Sequence, residues 1–347
     1  MDVRLSDEQV ALRDAAAQVA RRLGPETVPQ LDDVDRRARL DEAVEASGWR
    51  ELRVPEASGE PLASGVEVCL IAEELARRLA DVSLLGPTLA AELRRLVGAP
   101  DAEGRESVVL AVDLSGLARC VSGELPHGAT VIDAAGADHA LVLLDAGDGL
   151  TLGRVEVSGA VFDVDLTRSI ARLEPDTSVA HVEGQQRGLT AEDLTRFASL
   201  ALAITCADLV GAMRGDIELA RDYAQAREQY GKHIGSFQAV QHLLADAHVS
   251  MEGSQSVALH AAWAADALEP DEALMAASVA KAYCARAARL VGETSIQVHG
   301  GIGNTWECLA HVYLRRALLS IDLFGGVDAS LTRVLEGAGF GGDHGLR

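Results

Sequence analysis

Residues 191–226 read AEDLTRFASLALAITCADLVGAMRGDIELARDYAQA, and this stretch decides the class of fold. Apart from Gly211 and Gly215 it contains no helix breaker, so it predicts a single long helix. A glycine-bounded turn at 231–235 follows, and then the helical pattern resumes. Long helices joined by short connections predict an antiparallel bundle. Its other helices are predicted from Phe237 to Leu268, from Pro270 to about His299, from about Thr305 to Leu319, and after Gly325-Gly326 to about Gly337.

The residues before position 100 also have a helical pattern. Ser6 and Gln9 have the spacing of a capping box, and apolar residues recur at helical spacing up to Leu23. Pro25 closes this first helix. Three more helices are predicted, at Asp41–Ala46, at 66–80, and from Pro87 through Leu96.

Between these helical regions the sequence changes to short apolar runs bounded by Gly, Asp and Pro turns. Short strands at this spacing indicate a small β-sandwich or barrel. The strands are predicted at Ser107–Val112, Ala129–Ile132, Ala140–Leu144, Leu150–Val157 and Val161–Val164. The predicted fold is therefore α+β and mostly α, with an N-terminal helical domain (1–100), a small central β-domain (101–187), a C-terminal antiparallel helical bundle (188–340) and a mobile tail (341–347).

Composition excludes several classes of protein. The 347 residues carry 31 Lys+Arg and 53 Asp+Glu, a formal net charge of −22, and 48% are hydrophobic, so the chain is globular rather than disordered. With only 3% aromatic residues, a nucleic-acid partner is not expected. The five cysteines are far apart and form no CxxC pair, so neither a disulfide framework nor a metal site is predicted. Without a secretory signal or an apolar run of about 20 residues, we expect a cytoplasmic protein with no membrane span.

Two segments stand out as candidate binding sites, since the chain has no HExxH, GxSxG or GxxxxGK[ST] motif and no GxGxxG after a predicted strand. The first, 227–242, reads REQYGKHIGSFQAVQH. Its Arg227 offers a multi-donor fork for phosphate oxygens, and the helix that opens near Gln238 adds backbone N–H donors. The alternative is a corner between two helices whose polar residues only cap it.

The second segment, 297–307, reads QVHGGIGNTWE. Its three glycines in four positions allow the backbone to approach a ligand closely and to expose its N–H groups. The alternative is a helix cap that joins two helices. His299 and His311 are twelve residues apart across this turn, where packing is a better interpretation than metal binding.

With these motifs the chain resembles the acyl-CoA dehydrogenases over nearly its whole length. The matching order is also the one predicted above: helices, β-domain, helical bundle. The residues that carry the resemblance are Arg227-x-Gln-Tyr-Gly-x-x-Ile-Gly-x-Phe-Gln-Ala-Val-Gln-His, Gln297-x-His-Gly-Gly-Ile-Gly-x-Thr-Trp-Glu, Ala280-Lys281, Leu5-x-x-Glu-Gln, Gly48-Trp49, Val54-Pro55-Glu56, Glu73-Glu74-Leu75 and Asp165-Leu166-Thr167-Arg168.

The resemblance implies FAD as cofactor, an acyl-CoA thioester as substrate and an electron-transfer acceptor. In the family a carboxylate takes the α-proton while the flavin accepts hydride from the β-carbon, and the cofactor residues often reach the FAD of a neighbouring subunit. A homo-oligomer or a heterotetramer with a paralogous chain is therefore implied. The positions that match the family's FAD-binding residues are Arg227, Tyr230, Gln238, Gln297, Val298, His299, Gly300 and Gly301.

The chain departs from the family at the segment that lines the flavin ring and at the positions of the catalytic base. The β-region lacks the Thr-Glu-Pro and Gly-Ser segment that lines the flavin ring, and the position of the usual catalytic base falls on Phe324. The alternative base position of some members, on the first bundle helix, falls on Ala201. Since neither side chain accepts a proton, the catalytic residue is unknown, with Asp322 and Glu307 as the nearest carboxylates.

Three functions stay open. The favoured one is a subunit that lends FAD-binding residues to a paralogous chain carrying the base, as in the shorter, base-lacking subunits of actinobacterial heteromeric members that often act on steroid side-chain thioesters. This places the chain in lipid or steroid catabolism. The others are a self-sufficient acyl-CoA dehydrogenase with a displaced base and a helical scaffold that has lost the flavin.

Overall fold

The computed structural model describes residues 4–121, 123–145, 149–157, 161–162 and 165–340. The predicted order of helices, small β-region and helical bundle is confirmed. The predicted mobile tail, 341–347, lies outside the described residues, as do positions 163–164 of the last predicted strand.

The N-terminal region consists of four α-helices. The capping box is present, since the Ser6 hydroxyl accepts from the backbone N–H of Gln9. The second helix begins earlier than predicted because the Asp33 side chain caps it, accepting from the Arg36 N–H at 2.9 Å. The sequence signal for this second helix was weak, because most of its residues are charged and they obscure the helical spacing of its apolar residues. The helices are α1 (Asp7–Leu23), α2 (Val34–Ala46), α3 (Gly65–Arg77) and α4 (Leu85–Val97), with a 3₁₀ turn at Val28–Asp32.

The central region is a mixed sheet with strand order β6-β7-β3-β1-β4-β5-β8, and β2 pairs with β4. β1 pairs antiparallel with β3 and parallel with β4. Its strands are β1 (Glu106–Leu110), β2 (Arg119–Val121), β3 (Thr130–Ile132), β4 (His139–Asp145), β5 (Leu150–Glu156), β6 (Val161–Phe162), β7 (Ile170–Arg172) and β8 (Ala180–His181). The five predicted runs correspond to β1, β3, β4, β5 and β6. β2, β7 and β8 were not predicted, because they pair with strands far along the chain and lack a local apolar run of their own.

Both faces of the central strands are buried, which explains their continuous apolar runs. Val108 and Leu141 belong to the main core, which also contains Leu89 of α4 and side chains of the bundle. The next residues along these strands, Val109 and Val142, face a second apolar cluster within the β-region. The main core is thus continuous across all three regions, and the division at 100 and 187 stays a prediction.

The C-terminal region is the predicted bundle. The glycines at 211 and 215 allow close packing rather than flexibility, because a Cβ at Gly211 would lie 2.0 Å from the Glu73 carbonyl oxygen of α3. The prediction of a helix from Thr305 was wrong, since 300–304 form a 3₁₀ turn and the helix starts at Ala310. The helices are α5 (Ala191–Ala226), α6 (Gln238–Ala267), α7 (Pro270–His299), α8 (Ala310–Asp322) and α9 (Val327–Gly337).

Among the described helices, α5 is the one long and apolar enough to cross a membrane by length and composition. However, 89% of its most apolar window is buried inside the fold. That burial is typical of the central helix of a bundle.

Candidate functional site

The structure brings the two sequence motifs together at one end of the bundle. α5 ends at the first motif and α7 ends at the second. The Tyr223 ring, one turn before the end of α5, stacks on the ring of His299, with centroids 4.6 Å apart and planes at 30°. A small apolar cluster under this contact joins α5, α6 and α7 through Ala220, Ala224, Val298, Ile234, Val240 and Leu244.

Arg227 lies at the point where α5 ends, and its backbone N–H donates to the Tyr223 carbonyl at 2.8 Å. Its side chain is exposed, and among the described residues no carboxylate pairs with its guanidinium group. By contrast, many of the chain's other arginines form ion pairs, such as Arg221 with Asp222. An exposed, unpaired guanidinium group on an acidic protein is suited to an anionic ligand.

Tyr230 lies at the tip of a short hairpin made of β9 (Glu228–Gln229) and β10 (Lys232–His233). Its φ of 55° is followed by 75° at Gly231, the combination required by a tight two-residue turn. The Tyr230 side chain is 95% exposed, and its ring makes a T-shaped contact with the Phe237 ring. The hairpin therefore presents an aromatic ring beyond the end of the bundle.

Gln238 is the first residue of α6, and its side chain is exposed. Phe237 occupies the cap position, where no side chain accepts from the first-turn N–H groups. The start of α6 packs against the end of α5, because Ala224 of α5, Ile234 after the hairpin and Val240 of α6 share one apolar cluster. The helix start therefore offers donors to an anion.

At the end of α7 the candidate residues have different environments. Gln297 is exposed, whereas Val298 and His299 are buried. The Nδ1–H of His299 donates to the Ser295 carbonyl at 2.8 Å, and burial lowers the pKa of its imidazole. His299 is therefore a neutral side chain that packs the end of α7 against α5.

The glycine turn after His299 is open. Gly300 has φ 66° and ψ −143°, a conformation that essentially only glycine adopts. A Cβ at Gly301 would meet no atom within 4 Å, so packing within the described residues does not require glycine at this position. We use the name end face for the exposed surface formed by Arg227, Tyr230, Gln238, Gln297, Gly300 and Gly301.

The two expected base positions converge elsewhere in the core. Ala201 and Phe324 are 0% and 3% exposed. Phe197, one turn before Ala201 on α5, meets the Phe324 ring edge to face, with centroids 6.3 Å apart. The backbone N–H of Phe324 donates to the Leu114 carbonyl at 2.7 Å, which ties this position to the β-region. An apolar contact therefore occupies the place where the family resemblance would put a proton acceptor.

The nearest carboxylates do not replace the base in this packing. Asp322 ends α8 and is exposed, and Glu307 is exposed in the turn before α8. Both carboxylates are exposed, whereas the Phe197 and Phe324 rings are buried. The described residues also contain no group of three or more His, Cys, Asp or Glu side chains able to hold a metal ion.

Sequence reasoning missed the role of a buried charged cluster. Asp208 accepts from Arg316 Nη2 at 2.7 Å and from the Ser320 hydroxyl at 2.7 Å, and Arg168 pairs with the same carboxylate at 2.7 Å. The neighbouring arginines hold the pKa of Asp208 below its usual value against the opposing effect of burial. The segment 165–168, one of those that carry the family resemblance, thus anchors the β-region to α5 and α8. Its only sequence signal was the resemblance itself.

Lys281 is a second buried group that the sequence did not explain. Its Nζ is fully buried and donates to the carbonyls of Ser320 at 2.5 Å and Leu323 at 2.8 Å. These carbonyls belong to the end of α8, so Lys281 caps that helix. Burial lowers the pKa of Lys281 to about 8. It therefore fixes the segment that carries Phe324.

Comparisons with known proteins indicate the family and the fold. Residues 194–336 match the family described as "Acyl-CoA dehydrogenase, C-terminal domain". The chain is 32% identical over 298 residues to acyl-CoA dehydrogenase FadE34 of Mycobacterium tuberculosis, which covers 81% of this chain but only 39% of that protein. The match therefore spans about two fifths of the length of FadE34.

Two further comparisons extend over whole chains. Acyl-CoA dehydrogenase IpdE2 of Mycobacterium tuberculosis is 29% identical over 327 residues, covering 91% of this chain and 93% of that protein. The crystal structure of the ChsE4-ChsE5 complex from Mycobacterium tuberculosis superimposes with a TM-score of 0.83 at 23% identity, covering 98% of this chain and 99% of that one. At that identity the superposition establishes the fold.

Proposed function

Because this chain belongs to the acyl-CoA dehydrogenase family, we propose that it is the non-catalytic subunit of an FAD-dependent acyl-CoA dehydrogenase. A paralogous partner chain supplies the catalytic base. The reaction is α,β-dehydrogenation of an acyl-CoA thioester, for which FAD, when bound, would supply the hydride acceptor and a carboxylate would take the α-proton. The contribution of this chain is to bind and orient the cofactor from across the interface.

One observation carries the proposal: the end face is open and polar, whereas both base positions are apolar and closed. A base must lie within about 3 Å of the proton it removes. Ala201 and Phe324 have no atom able to accept a proton, and the Phe197–Phe324 contact leaves their surroundings apolar. A subunit that keeps only the cofactor-binding part of the site needs a partner for the chemistry.

The residues of the end face fit FAD. Its pyrophosphate is anionic, and the Arg227 guanidinium is exposed and unpaired among the described residues. The uncapped first turn of α6 adds N–H donors beside it. The open space at Gly301 leaves room for a ligand or a neighbouring backbone to approach the chain. Together these groups would hold the pyrophosphate part of FAD.

The substrate and partners follow from the same proposal. The family resemblance supports a lipid or steroid side-chain thioester, and the ChsE4-ChsE5 complex supports a paralogous partner for a chain of this fold. Electrons would leave through a separate electron-transfer acceptor. A cytoplasmic location stays a prediction.

Co-expression with a neighbouring dehydrogenase-like chain tests the proposal. We expect a yellow complex containing both chains, measured by size-exclusion chromatography and by flavin absorbance, and a colourless chain when this protein is purified alone. A homo-oligomer of this chain that holds FAD and oxidises a thioester would instead support the self-sufficient dehydrogenase. A chain that stays colourless with every paralogous partner would support the flavin-free scaffold.

A further inference from the structure

The end face consists of two halves that different helices carry. Arg227 lies at the end of α5, and the glycine turn that begins at Gly300 lies at the end of α7. Each half has backbone hydrogen bonds of its own: the Arg227 N–H donates to the Tyr223 carbonyl at 2.8 Å, and the Gly300 N–H donates to the Ile296 carbonyl. A ligand that contacts both halves therefore requires the two helix ends to keep a fixed relative position.

On the α5 side, the backbone holds Arg227 from both directions. Tyr223 lies four residues before it, about 6 Å along the helix axis, and accepts its N–H. After the hairpin, the Ile234 N–H donates to the Arg227 carbonyl at 2.9 Å. The place of Arg227 is therefore fixed relative to Tyr223 in the last turn of α5.

On the α7 side, the glycine turn folds back over His299. A Cβ at Gly303, which is buried, would lie only 3.0 Å from the His299 Cβ and 3.2 Å from the Ile296 Cα. A side chain at Gly303 would therefore press on His299. The Nδ1–H of His299 donates to the Ser295 carbonyl at 2.8 Å, a bond within α7 that holds the imidazole in one orientation. The turn thus rests on His299, and its place follows that of this side chain.

The contact between the two halves is the stack of the Tyr223 and His299 rings, with centroids 4.6 Å apart and planes at 30°. Beneath it, Val298 of α7 packs with Ala220 and Ala224 of α5. Burial of such apolar side chains holds two helices together but has no preferred direction. A pair of stacked rings, by contrast, has a preferred distance and tilt. The ring stack therefore sets how the two helix ends are placed against each other.

We propose that Tyr223 and His299 are positioning residues for FAD binding. Their stack sets the separation between Arg227 and the glycine turn, so that one anionic ligand contacts both halves of the end face. The two rings act through Arg227 and the turn rather than by contact with FAD. The inference rests on the proposed function, because it takes FAD as the ligand of the end face.

The first test measures the FAD dissociation constant of the complex with its paralogous partner, by flavin fluorescence. Tyr223→Leu removes the ring but keeps an apolar side chain, and we expect about three- to tenfold weaker binding, the size of a lost aromatic pair. Tyr223→Phe keeps the ring and should bind within about twofold of the wild type. Wild-type affinity in Tyr223→Leu, or an equal loss in Tyr223→Phe, overturns the proposal.

A double-mutant cycle tests whether the two rings act as one unit. His299→Leu should weaken FAD binding as Tyr223→Leu does, and the double variant should bind no worse than the weaker single variant, because the second change removes a contact already lost. Losses that multiply in the double variant contradict the proposal. If the leucine variants fail to fold, His299→Gln replaces them, since its amide still donates to the Ser295 carbonyl but has no ring; unchanged affinity in His299→Gln overturns the proposal.

The matched control is a second aromatic pair on the same bundle. The His260 and Trp263 rings lie 5.8 Å apart on α6, and His260 is about 33 Å along the helix axis from Gln238 at the end face. His260→Leu should therefore bind FAD as the wild type does. A loss in His260→Leu equal to that in Tyr223→Leu would show that any removed ring has this effect, which overturns the proposal.

A second measurement does not need FAD. Amide hydrogen exchange in the chain alone reports on the glycine turn through the N–H groups of Gly300 and Thr305, which donate to the carbonyls of Ile296 and Ile302. We expect Tyr223→Leu, a change on α5, to speed exchange in this turn of α7 by about three- to tenfold, and Tyr223→Phe to leave it unchanged.

Exchange in the turn that stays at the wild-type rate in Tyr223→Leu means that the ring packs α5 alone, and it overturns the proposal. A wild-type complex that holds no FAD contradicts the proposed function instead. The exchange measurement then still decides whether Tyr223 positions the glycine turn.

Discussion

The rings of Phe197 and Phe324 meet edge to face with centroids 6.3 Å apart, and this contact joins the first bundle helix to the segment after α8. Phe197 lies one turn before Ala201 on α5, so the Phe324 ring packs beside the turn of α5 that carries the other expected base position. At that place the chain has packing instead of a proton acceptor.

Arg227→Ala should weaken FAD retention far more than Lys232→Ala. A charge-assisted hydrogen bond contributes about 1.5–3 kcal/mol, so we expect roughly 10- to 100-fold weaker binding for Arg227→Ala. Lys232 is exposed in the hairpin, with its Nζ 4.6 Å from the centroid of the Phe237 ring, and a single exposed charge contributes little. Flavin content per complex after dialysis is the measurement. Equal losses in both variants would refute the assignment of Arg227.

Gly300 and Gly301 should respond differently to substitution. Gly300→Ala forces a side chain into a strained backbone conformation and should lower the free energy of unfolding of the chain by about 1–3 kcal/mol. Gly301→Val leaves the isolated chain folded, because nothing lies within 4 Å of its Cβ position. We expect Gly301→Val to abolish flavin binding or assembly instead. Normal flavin content and normal complex size in Gly301→Val would show that the turn is only a helix connector.

Asp208→Asn should destabilise the fold strongly. It leaves the Arg168 and Arg316 guanidinium groups buried without their carboxylate, a loss of about 3–5 kcal/mol. Since the pKa of Asp208 is lowered in the folded state, its stabilising effect is present above the ordinary pKa and is lost as pH falls. Urea unfolding at neutral and acid pH measures both effects. The exposed Asp222→Asn should change stability by about 1 kcal/mol or less, and a similar small change in Asp208→Asn would contradict the account of the cluster.

Lys281→Met should reveal the titration of a buried lysine. Its pKa falls from 10.5 to about 8 on folding, so between these values the unfolded chain binds more protons than the folded chain. The contribution of Lys281 to the free energy of unfolding therefore rises with pH from about 8 to 10.5, by up to about 3 kcal/mol. We expect the difference between the wild type and Lys281→Met to follow this rise in denaturant unfolding. A difference that does not change with pH would show that Lys281 does not titrate there.

The sequence predicted the long elements well because their physical signals are local. α5 and α7 have helix formers, a threonine or proline start and glycine or arginine at the end, and their bounds agree closely with prediction. The start of α2 depends on one capping bond from Asp33. The start of α8 depends on the 3₁₀ turn that the glycine segment forms before it. The strands β2, β7 and β8 each pair with a strand far along the chain, which no local pattern shows.

The residues of the candidate site were found from two motifs, but their arrangement was not. Only the fold shows that Tyr223 stacks on His299, because this contact joins two helices about 75 residues apart along the chain. It also shows that Val298 and His299 are buried, so these two side chains pack beneath the end face and are not part of its surface. Burial and contacts between distant helices depend on packing of the whole chain, which spacing alone does not determine.

The most direct test of the account is steady-state turnover of an acyl-CoA thioester with an artificial electron acceptor, measured on the purified chain and on its co-expressed complex with flavin content checked in each. We expect no enzymatic turnover by the chain alone. In the complex, Asp322→Asn and Glu307→Gln should leave turnover nearly unchanged, because the proposed function assigns the essential carboxylate to the partner. Robust turnover by the chain alone, falling about 10²- to 10⁴-fold in Asp322→Asn with flavin still bound, would contradict the account and identify Asp322 as a displaced base.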